Sequence, residues 1–329
     1  MRKLAWGILS TANIGIKRVI PAILSSDQGR IAAIASRDAQ RAAATAARFG
    51  IERSHGSYQA LIDDPDIEAV YNPLPNHLHV EWTVKALDAG KHVLCEKPIG
   101  LNAREAAAIV AARDRSGKQV IEAFMVRHHP QWQRVRVLIS SGRIGRVGAV
   151  QSAFLFTMLD PNNVRNRADI GGGALYDVGC YPIVTARYIF TSEPSRAIAL
   201  IDRDPTLHVD RVTSALVAFP EGGQLVFTSA LQLSTYQRVV VLGTAGSIEV
   251  EVPFTPVKDH ACRIRIDGAN GTEFEEFAAV DQYRLQCDTA VRVFRGEAEQ
   301  EFPIEDAIAN MRVIDALYRS AESGHWETP

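Results

Sequence analysis

The sequence predicts an α/β protein of two domains, first a doubly wound parallel sheet, then an α/β domain with a large, mostly antiparallel open sheet. Three observations predict it. Short apolar runs alternate with amphipathic stretches up to about residue 124, strands then follow one another across turn signals, and 329 residues exceed what one core usually supports.

Residues 4–9 form a short apolar run that breaks at Ser10-Thr11-Ala12-Asn13, and from Ile14 to Leu24 apolar residues recur at helical spacing. That reads as strand, turn and helix. Residues 31–35 make a second buried strand, followed by an Ala-rich helix that runs to Phe49 and stops at Gly50. The alternation continues with a helix at 58–63, a strand at 69–71, a helix at 77–89 stopped by Gly90, a strand at 92–95, a helix at 102–116 and a strand at 119–123. Strands separated by helices of this kind pair in parallel. The boundary is therefore expected after residue 123, giving domains of 1–123 and 124–329. In the second, a helix at 131–141 precedes an alternating strand at 146–157, and Gly171-Gly172-Gly173 opens a helix at 171–190. Several strands then lie between Ser195 and Phe277, divided by turns such as Glu221-Gly222-Gly223, and helices at 282–294 and 304–322 close the chain.

Composition narrows the function classes. With 36 basic and 38 acidic residues, interspersed rather than clustered, there is no basic stripe of the kind that binds a phosphate backbone, so no nucleic-acid partner is expected. Cys95, Cys180, Cys262 and Cys287 are far apart and show no metal-ligand spacing, which points to buried free thiols and no metal site. The first apolar run ends too soon for a signal peptide, and no apolar stretch reaches the roughly 20 residues needed to span a bilayer. The expectation is a cytoplasmic protein with no membrane partner.

The turn after the first strand, Ser10-Thr11-Ala12-Asn13-Ile14-Gly15, holds the place of a G-x-G-x-x-G phosphate-binding loop with only its last glycine kept. Small residues still allow a pyrophosphate to approach the amides of the following helix, and they equally suit an ordinary strand-helix turn. About 20 residues further on, where NAD-binding versions carry an acidic ribose ligand, this chain has Ser36-Arg37-Asp38. A hydroxyl and a guanidinium favour a 2′-phosphate, hence NADP(H), with Asp38 as helix N-cap; a solvated Arg37 is the alternative. Glu96-Lys97-Pro98 ends the fourth expected strand, the sheet edge where α/β proteins bind ligands, and the proline keeps Lys97 out of a helix.

Glu96-Lys97-Pro98, preceded by Ala89-Gly90-Lys91-His92-Val93-Leu94, resembles the hallmark of the glucose-fructose oxidoreductase, inositol dehydrogenase and rhizopine-catabolism (Gfo/Idh/MocA) family. Trp6-Gly7-Ile8-Leu9, Pro75-Asn76-His77-Leu78-His79, Glu122-Ala123-Phe124-Met125 and the segment from Gly171 to Pro182 extend the resemblance over essentially the whole chain. It implies an N-terminal Rossmann dinucleotide-binding domain, a C-terminal domain that binds substrate and dimerises, and a homodimer or higher homo-oligomer. It also implies catalytic roles for Lys97, Asp177 and Tyr181. Cofactor contacts are implied for Ser10, Thr11, Ala12, Asn13, Ile14, Ser36, Arg37, Leu74, Asn76, His79, Glu96 and Lys97.

Relatives often have His where this chain has Tyr181, and the tyrosine is similar to the branch of glucose-fructose oxidoreductase, NADP-dependent D-xylose dehydrogenase and dimeric dihydrodiol dehydrogenase. On a helix Asp177 and Tyr181, four residues apart, share a face. A phenol with its usual pKa of about 10 is a poor base at neutral pH, and an ammonium such as that of Lys97 would stabilise the phenolate. The resemblance thus implies an NADP-dependent oxidoreductase acting on a carbohydrate-like substrate, with an aldose 1-dehydrogenase first. A 1,5-anhydrofructose-type reductase, a trans-dihydrodiol dehydrogenase and a non-catalytic NADP-sensing regulator remain beside it. Arg127, His129, Arg165 and Arg167 are polar enough to read sugar hydroxyls and equally suited to ion pairs between domains.

Overall fold

A computed structural model describes residues 2–329, which form two compact units. The first runs to Met125 and also takes in Asp281–Ile308; the second comprises Val126–Val280 and Ala309–Pro329.

The first unit begins with β1 (Leu4–Leu9), buried along its whole length, and a π turn at Gly15–Val19 that leads into α1 (Ile20–Leu24). There follow β2 (Gly29–Ala35), α2 (Ala39–Phe49), β3 (Arg53–His55), α3 (Tyr58–Ile62) and β4 (Ala69–Asn72). A short turn at Asn76–Leu78 opens α4 (His79–Asp88), and β5 (His92–Cys95), α5 (Ala103–Ser116) and β6 (Val120–Glu122) complete the alternation. The six strands are parallel in the order β3-β2-β1-β4-β5-β6. The order reverses between β1 and β4, so the crevice at their C-terminal ends is the switch point where such sheets take ligands. Local chemistry sets the helix ends: the Asp38 carboxylate accepts the amides of Gln40 and Arg41, and Gly50 closes α2 at φ 65°. β3 was not expected, because three residues of polar Arg-Ser-His carry no readable period.

The second unit holds α6 (Pro130–Ser140), β7 (Val147–Thr157) and a π turn at Leu175–Gly179 that runs into α7 (Cys180–Phe190). After these come β8 (Arg196–Arg203), β9 (Asp210–Ala218), β10 (Gln224–Ala230), β11 (Gln232–Gly243), β12 (Gly246–Val250), β13 (Cys262–Gly268) and β14 (Gly271–Phe277). The eight strands lie in the order β14-β13-β12-β11-β7-β10-β9-β8, and every pair is antiparallel except β7 with β10. Helix α7 is apolar nearly all round and lies buried, packed on β7 and β10. Two helices follow, α8 (Gln282–Phe294) and α9 (Ile304–Ser323). Among the described residues no helix is long and apolar enough to cross a membrane. All four cysteines are buried and free.

Helix α8 corrects the expected boundary. Cys287, Ala290, Val291 and Phe294, spaced at helical intervals, sit in one core with Leu4, Trp6, Ile8, Ile20 and Ile23. The Phe294 ring lies 5.8 Å from that of Trp6 and stacks on His92 at 4.8 Å. Ser26 also donates its hydroxyl to Asp288. Periodicity identifies the helix, but its apolar stripe fits either sheet equally well, so the sequence alone groups residues 281–308 with the second domain, whereas in the structure they complete the first. Phe294→Ala should therefore cost about 3 kcal/mol in the first unit. Urea unfolding followed by tryptophan fluorescence checks this, with the expected loss appearing in the transition that exposes Trp6.

Candidate active site

The dinucleotide turn starts with Ser10, whose φ of 78° is the left-handed geometry that a glycine normally supplies. Its Oγ accepts the Ala12 amide at 3.2 Å, a local bond that supports the unusual backbone. Thr11 is buried, and the Ile16 amide reaches Ala12 O at 3.0 Å as the chain winds into the π turn. At the end of β2, Ser36 is buried and its Oγ accepts the Asp38 amide at 3.2 Å, leaving the hydroxyl hydrogen to donate elsewhere. Arg37 is exposed. The Asp38 carboxylate, committed to the start of α2, is not placed as a ribose ligand. The small-residue turn at the switch point and the Ser36-Arg37 pair fit the phosphate groups of a dinucleotide, Arg37 suiting a 2′-phosphate.

Lys97 lies two residues past the end of β5, half-buried, and its peptide bond to Pro98 is cis. Three side chains from three different elements hold this turn. The Tyr71 hydroxyl on β4 donates to Glu96 Oε1 at 2.6 Å; burial and the neighbouring carboxylate push the phenol pKa well above its usual value. Glu122, at the end of β6, accepts the Ile99 amide on Oε1 at 2.8 Å. His79, at the start of α4, has Nδ1 2.7 Å from Pro98 O and Nε2 2.6 Å from Leu74 O. Burial lowers its pKa to about 4, against the pull of the two carbonyls. His79, 1% exposed, lies between the Leu74 and Pro98 carbonyls, and in its neutral form the single N–H donates to one of them, linking the loop after β4 with the Glu96-Lys97-Pro98 turn. Leu74 is buried, its amide bonded to Asn72 Oδ1, and Asn76 is half-buried in the turn that follows.

In the second unit, Asp177 lies in the π turn and Tyr181 in the first turn of α7. Arg165 Nε donates to Asp177 Oδ2 at 2.6 Å. Tyr181 is 4% exposed, its ring 5.4 Å from those of Phe154 and Phe254, which stack on each other at 4.8 Å. The triple glycine is sterically required. A Cβ on Gly172 would lie 2.6 Å from Arg165 O, and one on Gly173, at φ 122°, would lie 1.9 Å from Asp210 Oδ1.

Of the arginines and histidine thought able to read hydroxyls, Arg165 pairs with Asp177 and Arg167 with Asp169. His129 is the N-cap of α6, its Nδ1 accepting the Gln131 amide at 3.2 Å. Arg127 is buried. Tyr71, the carboxylate of Glu122 as an amide acceptor, and Asp210 were not foreseen, since each acts on a residue far away in sequence. Among the described residues no three His, Cys, Asp or Glu side chains are grouped to hold a metal ion.

A parallel sheet in this order, with a small-residue turn at its switch point and a lysine at the neighbouring strand end, is the architecture of a dinucleotide-binding protein, here joined to a separate α/β unit. Residues 4–124 match the family model "Oxidoreductase family, NAD-binding Rossmann fold", and residues 132–249 match the GFO/IDH/MocA C-terminal domain. The chain belongs to the Gfo/Idh/MocA oxidoreductase family, and it is an NAD(P)-dependent enzyme.

It is 46% identical to an uncharacterized oxidoreductase of Rhizobium meliloti over 98% of both chains. It is 37% identical to a D-xylose 1-dehydrogenase (NADP(+)) of Haloferax volcanii over 97% of this chain and 98% of that one. A solved 3-ketoreductase from Actinomadura kijaniata, in complex with NADP and TDP-benzene, superimposes with a TM-score of 0.92 at 28% identity, covering 97% of this chain and 98% of that one.

Proposed function

We propose that this protein is an NADP(H)-dependent aldose 1-dehydrogenase of the D-xylose type, in which Tyr181 transfers the proton, Lys97 supports it and Asp177 holds a substrate hydroxyl. The observation that carries the reading is the segment from Gly171 to Tyr181, which presents a carboxylate and a phenol four residues apart. The aromatic packing fixes the Tyr181 ring, and the bond from Arg165 orients the Asp177 carboxylate, a polar partner for a hydroxylated substrate. The bound nicotinamide supplies the hydride acceptor or donor. Tyr181 Oη takes the carbinol proton in oxidation and returns it in reduction, and the Lys97 ammonium favours the phenolate form.

The similarity to a relative named as a D-xylose dehydrogenase supports the substrate class. The phenylalanines beside Tyr181 also suit the ring of a trans-dihydrodiol, which is the second reading. Turnover of aldoses, polyols, keto sugars and dihydrodiols, followed by NADPH absorbance, separates the two. Tight NADP(H) binding with no turnover on the whole panel would leave a sensor.

The choice of NADP(H) rests on Ser36 and Arg37 and on the commitment of Asp38 to its helix. Arg37→Ala should weaken NADP(H) by about 1.5–3 kcal/mol and leave NAD(H) nearly unchanged. Equal weakening of both, by fluorescence titration, would count against a phosphate-reading role.

Tyr181→Phe keeps the ring and its aromatic contacts, so cofactor affinity should hold while kcat falls by roughly 10²–10⁴-fold. Lys97→Met should lose a similar factor. If the two act as a unit, the double variant is little worse than either single one. Steady-state kinetics at saturating NADP⁺ reads this, and a Tyr181→Phe enzyme within a few-fold of wild type would move the proton role elsewhere.

A homodimer through the sheet face opposite α7 completes the proposal. Strand registers place Ile198, Leu216, Val226, Gln151 and Val240 in one row on that face, apolar except at Gln151, with Glu249 and Arg265 beyond. Leu200, on the same face, is 77% exposed. A row of this kind is a contact surface more often than a solvent surface. Light scattering should return twice the 36.1 kDa chain mass, and a monomer at micromolar concentration would remove the proposal.

A further inference from the structure

We propose that Asp210 is a positioning residue for the reaction, its carboxylate anchoring the start of the segment that carries Asp177 and Tyr181; this rests on the function proposed for those two residues. Asp210 opens β9 and is 1% exposed. Its Oδ2 accepts the Leu175 amide at 2.6 Å and the Thr213 hydroxyl at 3.1 Å, while Oδ1 accepts the Tyr318 hydroxyl of α9 at 3.0 Å.

Leu175 is the first residue of the π turn, and the amides that start a helical segment have no partner within it. Asp210 supplies that partner from a strand 35 residues away. Gly173 is a glycine because this carboxylate occupies the space where a side chain would begin. Asp177 lies two residues beyond the anchored amide and Tyr181 six, so movement of the anchor displaces both.

All three donors are neutral, and the cationic group that faces the carboxylate is Arg203 on β8, whose guanidinium lies 5.9 Å from the Tyr318 ring. Tyr176, its ring 5.1 Å from that of Tyr318, is a titratable neighbour of that tyrosine. Burial therefore raises the Asp210 pKa to about 6, against the pull of the three hydrogen bonds and Arg203. A group raised in this way favours folding below its unfolded pKa, and that contribution is lost as pH rises through about 6. The anchor behaves in the opposite sense. The ionised carboxylate, dominant above about 6, makes the charge-assisted bond to Leu175, and protonation replaces it with a weaker neutral one.

Asp210→Asn imitates the protonated form at every pH. Hydrogen exchange of the Leu175–Asp177 amides should quicken about fivefold or more at pH 7.5, and kcat should fall by a similar factor with the NADPH Kd within about twofold of wild type. The decline of wild-type kcat below pH 6 should be absent from the variant. Tyr318→Phe, which removes one donor to the carboxylate, should move that decline to higher pH, and it serves if the asparagine variant does not fold. Unchanged exchange, or a decline unmoved by either substitution, overturns the proposal. Exchange needs no substrate, so it tests the anchor even if Tyr181→Phe shows that the proton role lies elsewhere.

Discussion

Polar groups at the C-terminal ends of buried parallel strands have lost water and must be satisfied by the protein, and at the end of β5 that requirement organises the first unit. Tyr71, His79 and Glu122 come from β4, α4 and β6, and each bonds a different part of the turn around Lys97: a side-chain carboxylate, a carbonyl and an amide. Asn72 extends the same set, its Nδ2 donating to His79 O and to Thr83 Oγ1. The lysine is thus presented by a hydrogen-bonded frame drawn from three elements, as a group that must act at a fixed point requires. Loss of any one of these partners would strand a buried polar atom and loosen the frame.

The second unit solves a similar problem with backbone geometry as well as side chains. Its candidate residues are delivered by a π turn that begins beneath three glycines, two of which have positive φ and one of which abuts the main chain of Arg165 and Arg167. The first unit has a π turn too, directly after its dinucleotide turn. Wide turns of this kind recur at functional sites because they place a side chain off the regular helical pitch. A regular helix over 171–190, as periodicity alone suggests, would aim Asp177 and Tyr181 differently.

What was legible in the sequence is what depends on near neighbours. The alternation of strands and helices, the Asp38 cap and the stops at Gly50 and Gly90 all follow from residues within a few positions of one another. The candidate residues Lys97, Asp177 and Tyr181 were legible only because their surrounding motifs resemble a family. The role of His79 was not, since its two partners are backbone carbonyls 5 and 19 residues away and the side chain looks like that of any exposed helix residue. Asp210 gave no signal at all: a lone acidic residue before a strand reads as a turn, and its burial depends on Leu175, Thr213 and Tyr318 arriving from three places.

The return of α8 to the first unit bears on how the chain is made. The first 125 residues leave the ribosome with a parallel sheet whose core still lacks Cys287, Ala290, Val291 and Phe294. At about 5–20 residues per second, synthesis of the intervening chain takes roughly ten to thirty seconds, during which Trp6 and its neighbours await their cover. The core of the first unit is therefore completed only by residues synthesised after every strand of the second sheet.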